Sequence, residues 1–376
     1  MPHDWHRHDF PITLKRTYLN NAASTPMSLP GIRAVAAYLE DRAAMGAGAN
    51  GKWDGVVART RDKLARLVGG EPDDIALTGG TSHGLSLVAG GFDWREGDEA
   101  VIVVPDFTAN VYPWLYLADR GVAVRMVERG ADGSFTVDDV AARITGRTRL
   151  VAVTTVDFHT GFYADVAGIG NLCRERGLVF GVDAIQGLGV LPMDVASLGI
   201  DFLACGAHKW LLGVRGGGFL YIAPALRERV RPVLYGWSSV RNPGAYSVEH
   251  EIREDAGKYQ PGAVPYMALA ALDAGLDMLL GLGVERIRDR VLSLTGRILR
   301  GVADLGWPVV GARSERHRSG IVSFMPPGDP DGLHAFLAAR NVDVSVRRGA
   351  VRVSPHFYND GTDVDRLLEA LGEWRG

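Results

Sequence analysis

Short apolar runs alternate with helix-like segments along the first two thirds of the chain. Runs with few internal polar residues are typical of strands covered on both faces, and their alternation with helices predicts βαβ units and a mainly parallel sheet. The predicted strands are residues 74–78, 99–104, 122–127, 150–156, 178–182, 201–204 and 219–222. This pattern indicates an α/β protein.

The pattern loosens after residue 231, and a smaller α/β region follows. Residues 267–282 are predicted to form a long apolar helix, followed by further short strands and helices up to the C-terminus. We therefore expect a large domain over residues 18–245 and a small α/β domain over residues 246–376 together with residues 1–17. An early helix is predicted over residues 28–45, with Ile32, Val35, Ala36 and Leu39 on one face.

Length and charge narrow the class of protein. A chain of 376 residues can bury one large core and a second, smaller one. Its net charge of −3 offers no bulk attraction to nucleic acid or to an anionic membrane, so neither is expected as a partner. No apolar run approaches the roughly 20 residues that a membrane span needs. No secretory leader is visible, and we expect a cytoplasmic protein.

Cysteine and histidine usage suggests neither disulfides nor a metal site. The two cysteines, Cys173 and Cys205, form no CxxC pair and suit a reducing compartment. Four histidines are too widely separated for zinc-ligand spacing: His83, His159, His208 and His356. We expect no metal.

The strongest candidate chemistry lies at Asp183 and Lys209. Asp183 ends a predicted buried strand, where open α/β sheets bind ligands, and Lys209 follows the next strand among apolar residues. Burial lowers the pKa of a lysine and makes it a Schiff-base nucleophile. Pyridoxal phosphate needs a lysine for its aldehyde and an acid for its pyridinium nitrogen, and Gln186 could bind its phenolic oxygen. Taken alone, Lys209 could instead cap a strand and point into water.

A second candidate is the turn Gly80, Thr81 and Ser82, between a predicted strand and a predicted helix. Free backbone N–H groups and the helix dipole make such a turn a phosphate site. An ordinary helix cap by Thr81 or Ser82 is the alternative. The presence of Asp183 and Lys209 favours the phosphate interpretation.

Motifs spread over nearly the whole chain support the same cofactor. They are Tyr18-Leu19-Asn20-Asn21-Ala22-Ala23, Gly80-Thr81-Ser82, Asp183-Ala184-Ile185-Gln186, His208-Lys209 and Arg352-Val353-Ser354-Pro355-His356-Phe357-Tyr358-Asn359. In this content and order the chain resembles the class V aminotransferase family of fold-type I pyridoxal-phosphate enzymes. That family includes cysteine desulfurases, selenocysteine lyases, isopenicillin N epimerase-like proteins and C–S lyases. The resemblance implies a large domain with a mainly parallel sheet of the seven-stranded type and a small C-terminal α/β domain.

The resemblance also implies roles for individual residues. Lys209 would be catalytic, and Arg352 would hold the α-carboxylate of a small amino-acid substrate. The implied cofactor-binding residues are Gly80, Thr81, Ser82, Phe107, Asp183, Gln186, His208, Lys209, Gly262 and Ala263; Asn21, Ala22 and His159 would lie near the substrate. Gly262 and Ala263 would reach the partner's cofactor phosphate, which implies a homodimer with its site at the subunit interface. The alternatives are core packing for Phe107, a structural role for His159, and a surface position for Arg352.

The region 341–350 helps to predict the reaction, because desulfurases of this family carry a nucleophilic cysteine there. In this chain the region contains no cysteine, which disfavours a cysteine desulfurase. The leading hypothesis is a C–S lyase that carries out β-elimination on an S-substituted cysteine. An aminotransferase or an epimerase is the alternative. A non-catalytic regulator is disfavoured because Asp183, Gln186, Lys209 and Arg352 are all present.

Overall fold

The computed structural model describes residues 5–311 and 314–376. The helices are α1 (Leu29–Met45), α2 (Asn50–Val68), α3 (Thr81–Gly91), α4 (Tyr112–Leu115), α5 (Val137–Ala141), α6 (Val166–Arg176), α7 (Pro224–Arg227), α8 (Tyr266–Leu282), α9 (Val284–Asp304), α10 (Pro330–Ala339) and α11 (Gly361–Glu373). The strands are β1 (Thr17–Tyr18), β2 (Ile75–Thr78), β3 (Glu99–Val104), β4 (Ala123–Glu128), β5 (Thr148–Thr154), β6 (Val179–Asp183), β7 (Phe202–Gly206), β8 (Gly218–Ile222), β9 (Val309–Val310), β10 (Val322–Phe324), β11 (Val342–Asp343), β12 (Ser345–Arg347) and β13 (Ala350–Val353).

The large sheet has seven strands in the order β2-β8-β7-β6-β5-β3-β4. Only β8 runs against its neighbours β2 and β7, so the prediction of a mainly parallel sheet is confirmed. Thr154 of β5 pairs with Asp183 of β6, which pairs with Ala204 of β7. Because these strands are parallel, their carboxyl ends meet at one edge of the sheet, and Asp183 and Lys209 follow there.

Both faces of the large sheet are covered, which explains its apolar strands. Along β3, Val101 and Val103 enter the core on one face, and Ala100 and Ile102 enter the core on the other. This alternation is the period-2 geometry of a strand. A sheet buried on both sides places polar groups at its strand ends, and the site forms there.

The small domain is built on a four-stranded sheet, β12-β13-β10-β9. Its core joins Leu294 and Ile298 of α9 to Val353 of β13, and Leu19 next to β1 belongs to the same cluster. Strand β1 pairs in parallel with β11, so the N-terminal segment is tied to this domain.

Helix α8 packs with the large domain, although it lies beyond residue 246. Its Leu269, Leu272 and Leu276 belong to the core of the large sheet. We therefore propose a boundary near Val284 rather than at residue 246. Within the part of the chain that the structure describes, no single helix is long and apolar enough to cross a membrane; α8 and α9 reach that length only as a pair bent by 84°.

The predicted helix is confirmed as α1, but its apolar face is only partly covered. Ile32 is 45% exposed and Leu39 is 51% exposed. The helix instead packs through Ala34, Ala37 and Tyr38 toward Trp53 of α2. An apolar stripe of α1 is thus left uncovered by residues 5–311 and 314–376.

Candidate active site

A cleft of about 720 Å³ opens at the carboxyl ends of the central strands. It collects ten of the residues that the sequence singles out: Ala22, Gly80, Thr81, Ser82, Phe107, Asp183, Gln186, His208, Lys209 and Arg352. These residues come from turns far apart in the chain, and the parallel sheet brings them together. We refer to this space as the active-site cleft.

Lys209 and Asp183 form the electrostatic centre of the cleft. Burial lowers the pKa of Lys209 to about 8, and the nearby Asp183 carboxylate opposes that shift. Burial likewise raises the pKa of Asp183, opposed by a hydrogen bond that the Ile185 N–H donates to Oδ1 over 3.0 Å. A lysine with this lowered pKa has a free amine available near neutral pH, as a Schiff-base nucleophile requires.

Asp183 keeps one oxygen free for a ligand. Its Oδ2 is buried and has no hydrogen-bond partner among the residues that the structure describes. A buried carboxylate oxygen left without a partner is costly, so the arrangement is complete only with an added donor. A protonated pyridine nitrogen is a donor of that kind.

Gln186 is held in a fixed orientation beside this acid. Its Oε1 accepts a hydrogen bond from Trp210 Nε1 over 2.9 Å, and its Nε2 donates to the carbonyl of Ala22 over 3.1 Å. The amide nitrogen carries a second proton, which can reach a cofactor oxygen in the cleft. Trp210 is therefore the residue that orients Gln186.

The turn before α3 has the geometry of a phosphate site. Gly80 has φ 136°, a conformation that side chains rarely adopt, so glycine is required there. Thr81 Oγ1 accepts a hydrogen bond from the Gly206 N–H over 3.0 Å and ties the turn to the end of β7, while Ser82 is exposed to the cleft. Gly218 packs beneath the turn, since a Cβ on it would lie 2.7 Å from Gly80 Cα.

Phe107 and His208 complete the walls around Lys209. The Phe107 ring is 48% exposed, and its centroid lies 5.7 Å from Lys209 Nζ. Phe158 meets it edge-on at 5.6 Å and fixes its tilt. Burial lowers the pKa of His208 to about 4, and Lys209 and Arg215 add to the effect, so His208 is neutral near pH 7.

Arg352 is a buried cation with unused donors. The side chain is 1% exposed, and Nη1 donates to the carbonyl of Phe158 over 2.7 Å. Its Nε and Nη2 have no hydrogen-bond partner anywhere in residues 5–311 and 314–376. A guanidinium presents these donors in a fork that matches a carboxylate, so this site can bind an α-carboxylate.

Four predicted residues lie away from the cleft lining. The Asn21 side chain accepts from Tyr358 Oη over 2.8 Å and donates to the Ser354 carbonyl over 2.9 Å, so it anchors the segment that carries Ala22. His159 is half-buried outside the cleft lining, and burial lowers the pKa of its imidazole. Gly262 and Ala263 line a separate depression beside Trp237. Their roles toward cofactor and substrate stay predictions.

The cleft also contains residues that sequence reasoning did not single out. They are Arg347, Arg215, Asp106, His83 and Phe158. Asp106 precedes Phe107 and accepts from Thr154 Oγ1 over 2.5 Å and from the Phe107 N–H over 2.7 Å, which holds the Phe107 backbone in place. Its position next to Phe107 was the available signal; Arg347 and Arg215 carried none, because surface arginines are common in any sequence.

These residues together fit pyridoxal phosphate. The glycine turn suits its phosphate, Phe107 its ring face, the free Asp183 oxygen its ring nitrogen, and Lys209 its aldehyde. Across the described ranges, no group of three or more His, Cys, Asp or Glu is placed to hold a metal ion.

Comparison with known proteins supports this assignment. The family profile described as Aminotransferase class-V matches residues 17–367. A probable cysteine desulfurase of Methanothermobacter thermautotrophicus is 30% identical, over 98% of this chain and 97% of its own length. The apo structure of a cysteine desulfurase from Thermococcus onnurineus NA1 superposes with a TM-score of 0.90 at 26% identity, covering 98% of this chain and 96% of that one.

A third match concerns the fold alone. The complex between the cystine C–S lyase C-DES and its reaction product cysteine persulfide has a TM-score of 0.89 at 23% identity, covering 97% of this chain and 99% of that chain. The family profile covers most of the chain, and the cleft fits the family's cofactor. This chain therefore belongs to the class-V aminotransferase family of pyridoxal-phosphate-dependent enzymes.

Proposed function

We propose that this enzyme is a C–S lyase that carries out β-elimination on an S-substituted cysteine. The observation that carries the proposal is the combination in one cleft of Lys209 and the unpaired Arg352 guanidinium, with no cysteine among the described lining residues. Lysine can move the proton at Cα of an amino acid whose carboxylate the arginine holds, whereas sulfur transfer to the protein needs a thiol. The names of the relatives leave a cysteine desulfurase open, and the positions of the cysteines argue against it.

Both cysteines are poorly placed to accept sulfur. Cys173 lies on α6 and Cys205 on β7, and both are buried. Burial raises the pKa of the Cys173 thiol to about 12 and raises that of Cys205 further. Because the thiolate is the nucleophile, a buried neutral thiol does not attack a substrate sulfur. The segment 341–350, at the hairpin beside the cleft, has no cysteine.

The residues of the cleft divide the reaction between them. Arg352 binds the α-carboxylate and so fixes Cα next to Lys209. Bound pyridoxal phosphate supplies an acceptor for the electron pair that remains at Cα when the proton leaves. Lys209 Nζ takes that proton, since Phe107 on the ring face cannot exchange one. Asp183 stabilises the positive charge on the ring nitrogen.

Elimination then breaks the Cβ–S bond. The sulfur leaves with the bonding electron pair and is protonated to a thiol, and the proton that Lys209 holds balances that step. The remaining three-carbon fragment takes up one water and yields pyruvate and ammonia. The substrate plus one water thus equals thiol, pyruvate and ammonia, and no oxidant or reductant is needed.

We also propose that the enzyme is a homodimer whose partner completes the site. The loop beside Gly262 exposes large apolar side chains, with Tyr246 95% and Val248 94% exposed, and the stripe on α1 is uncovered as well. Gly262 and Ala263 lie outside this chain's own cleft, so contact with a cofactor phosphate would be to the partner's. Size-exclusion chromatography with light scattering tests this, and a monomeric holoenzyme would contradict it.

The reaction is tested by absorbance and product analysis of wild type and Lys209→Ala. The wild type is expected to show the visible band of cofactor bound to Lys209, absent in the variant. S-substituted cysteines are expected to give equal amounts of pyruvate and thiol. A pyridoxamine product instead would identify an aminotransferase, and inversion at Cα without pyruvate would identify an epimerase.

A further inference from the structure

Besides Arg352, the cleft contains Arg347, whose charge no acidic group among the described residues neutralises. Arg347 lies at the end of β12, lines the cleft and is half-buried. Its Nη1 donates over 2.8 Å to the carbonyl of Val346, its own neighbour in the strand. In the described part of the chain, Arg347 forms no ion pair. A half-buried guanidinium without a counter-charge points to an anion from outside the protein.

The hairpin of β12 and β13 places Arg347 on the substrate side of the cleft. Ser345 pairs with Arg352 and Arg347 pairs with Ala350 in an antiparallel register. Residues two apart in a strand share a face, so Arg347 lies diagonally across from Arg352 on the same face. Arg347 also lies close enough to act on Arg352 electrostatically. Its positive charge, together with burial, lowers the pKa of Arg352.

The two acidic residues of the cleft, Asp183 and Asp106, interact with groups other than Arg347. Asp183 lies beside Lys209, where its charge raises the lysine's pKa. Asp106 accepts from Thr154 and lies 3.4 Å from the buried Arg129. Neither is paired with Arg347.

The ligands assigned so far leave Arg347 unused as well. The cofactor phosphate belongs to the turn at Gly80, and Arg215 lies on the loop that leads to Gly218, which packs beneath that turn. Arg352 takes the α-carboxylate. One cation therefore remains in the cleft beside Arg352, within reach of an amino acid whose α-carboxylate that arginine holds.

We propose that Arg347 binds a second carboxylate, carried by the sulfur substituent of the substrate. The substrate class is then S-conjugates of cysteine whose thiol fragment ends in a carboxylate. This inference rests on the proposed lyase function for the reaction, while the two-arginine binding site stands on geometry alone. A planar guanidinium suits a carboxylate, and a charged hydrogen-bonded pair corresponds to about a ten- to hundredfold preference over a neutral group.

The test compares S-carboxymethylcysteine with S-carbamoylmethylcysteine, which has the same shape and no distal charge. The holoenzyme is assayed as wild type, Arg347→Gln and Arg348→Gln, with pyruvate as readout. Arg348 is the matched control because it is the next residue in the hairpin and is exposed away from the cleft lining. Wild type and Arg348→Gln are expected to prefer the carboxylate substrate about ten- to hundredfold in kcat/KM, and Arg347→Gln is expected to lose that preference.

Binding without turnover gives an independent readout. Adipate separates two carboxylates by the same number of atoms as S-carboxymethylcysteine, and its monoamide lacks one charge. Adipate is expected to raise the thermal midpoint of the holoenzyme more than the monoamide does, in wild type and Arg348→Gln but not in Arg347→Gln.

Each outcome separates the two proposals. An equal response of wild type to both substrates, and to adipate and its monoamide, would overturn the role of Arg347, and so would equal losses in the two arginine variants. Absence of pyruvate from either substrate, together with an adipate preference that Arg347→Gln abolishes, would overturn the lyase and leave the second carboxylate site standing.

Discussion

Replacing Arg352 with methionine is expected to stabilise the apoprotein while abolishing its function. The guanidinium is buried, donates one hydrogen bond to Phe158 and leaves two nitrogens without partners in the described structure. Methionine has similar length, adapts to irregular space and carries no charge. The substitution therefore removes a buried charge that serves only a ligand.

The size of the effect follows from two opposing contributions. Burial lowers the pKa of Arg352 from 12.5 to about 9, which at about 1.36 kcal/mol per pKa unit corresponds to a penalty of roughly 5 kcal/mol. Losing the hydrogen bond to the Phe158 carbonyl costs about 1.5–3 kcal/mol. The net expectation is a gain of about 2–3.5 kcal/mol in the free energy of unfolding, in line with buried ions replaced by apolar residues.

Urea denaturation of the cofactor-free protein measures this difference directly. Arg348→Met is the control, and its exposed position predicts a change within about 0.5 kcal/mol. A saturating carboxylate ligand should remove most or all of this difference, since about a hundredfold excess over Kd stabilises wild type alone by about 2.7 kcal/mol. Loss of more than 1 kcal/mol in Arg352→Met without ligand would show that the arginine holds the fold together, and the reasoning would fail.

Three further predictions concern the lysine, the phosphate turn and the cysteines. Absorbance can follow the rate at which the apoprotein binds pyridoxal phosphate. This rate should rise with pH up to about 8 and then level off, because the free amine of Lys209 reacts and burial lowers its pKa to about 8. A tenfold rise per pH unit that continues to pH 10 would contradict this. Gly218→Ala should weaken cofactor binding at least tenfold, measured by fluorescence titration. The added Cβ would lie 2.6 Å from the Cys205 carbonyl oxygen and 2.7 Å from Gly80 Cα. An unchanged Kd would refute the packing argument. The double variant Cys173→Ala, Cys205→Ala should form pyruvate at a rate within about twofold of wild type, because neither buried thiol takes part; the small core cavities lower only its stability. A folded but inactive double variant would restore the desulfurase alternative.

The sequence alone determined the chemistry that depends on local pattern. A strand that ends in Asp183, the next strand leading to Lys209, and a glycine turn between strand and helix are each readable within a few residues. The parallel sheet follows from the alternation of elements, and once strands are parallel their carboxyl ends must meet. These residues predicted the cofactor, and the resemblance of the motifs that contain them indicated the family.

Tertiary structure decided what depends on residues distant in the chain. Asn21 and Ala22 are neighbours in sequence, yet the Asn21 side chain accepts a hydrogen bond from Tyr358 while Ala22 lines the cleft. The apolar residues of α1 recur with helical period, but no described element of this chain covers Ile32 and Leu39.

Arg347 shows the same limit at the site itself. In sequence it is one arginine of an Arg-Arg pair, and only the hairpin register places it beside Arg352 while leaving Arg348 outside. Periodicity shows that a side chain shares a face with others, but what covers that face depends on contacts between elements far apart in the sequence. The sequence specified the cofactor, and the fold determined which charges remain for the substrate.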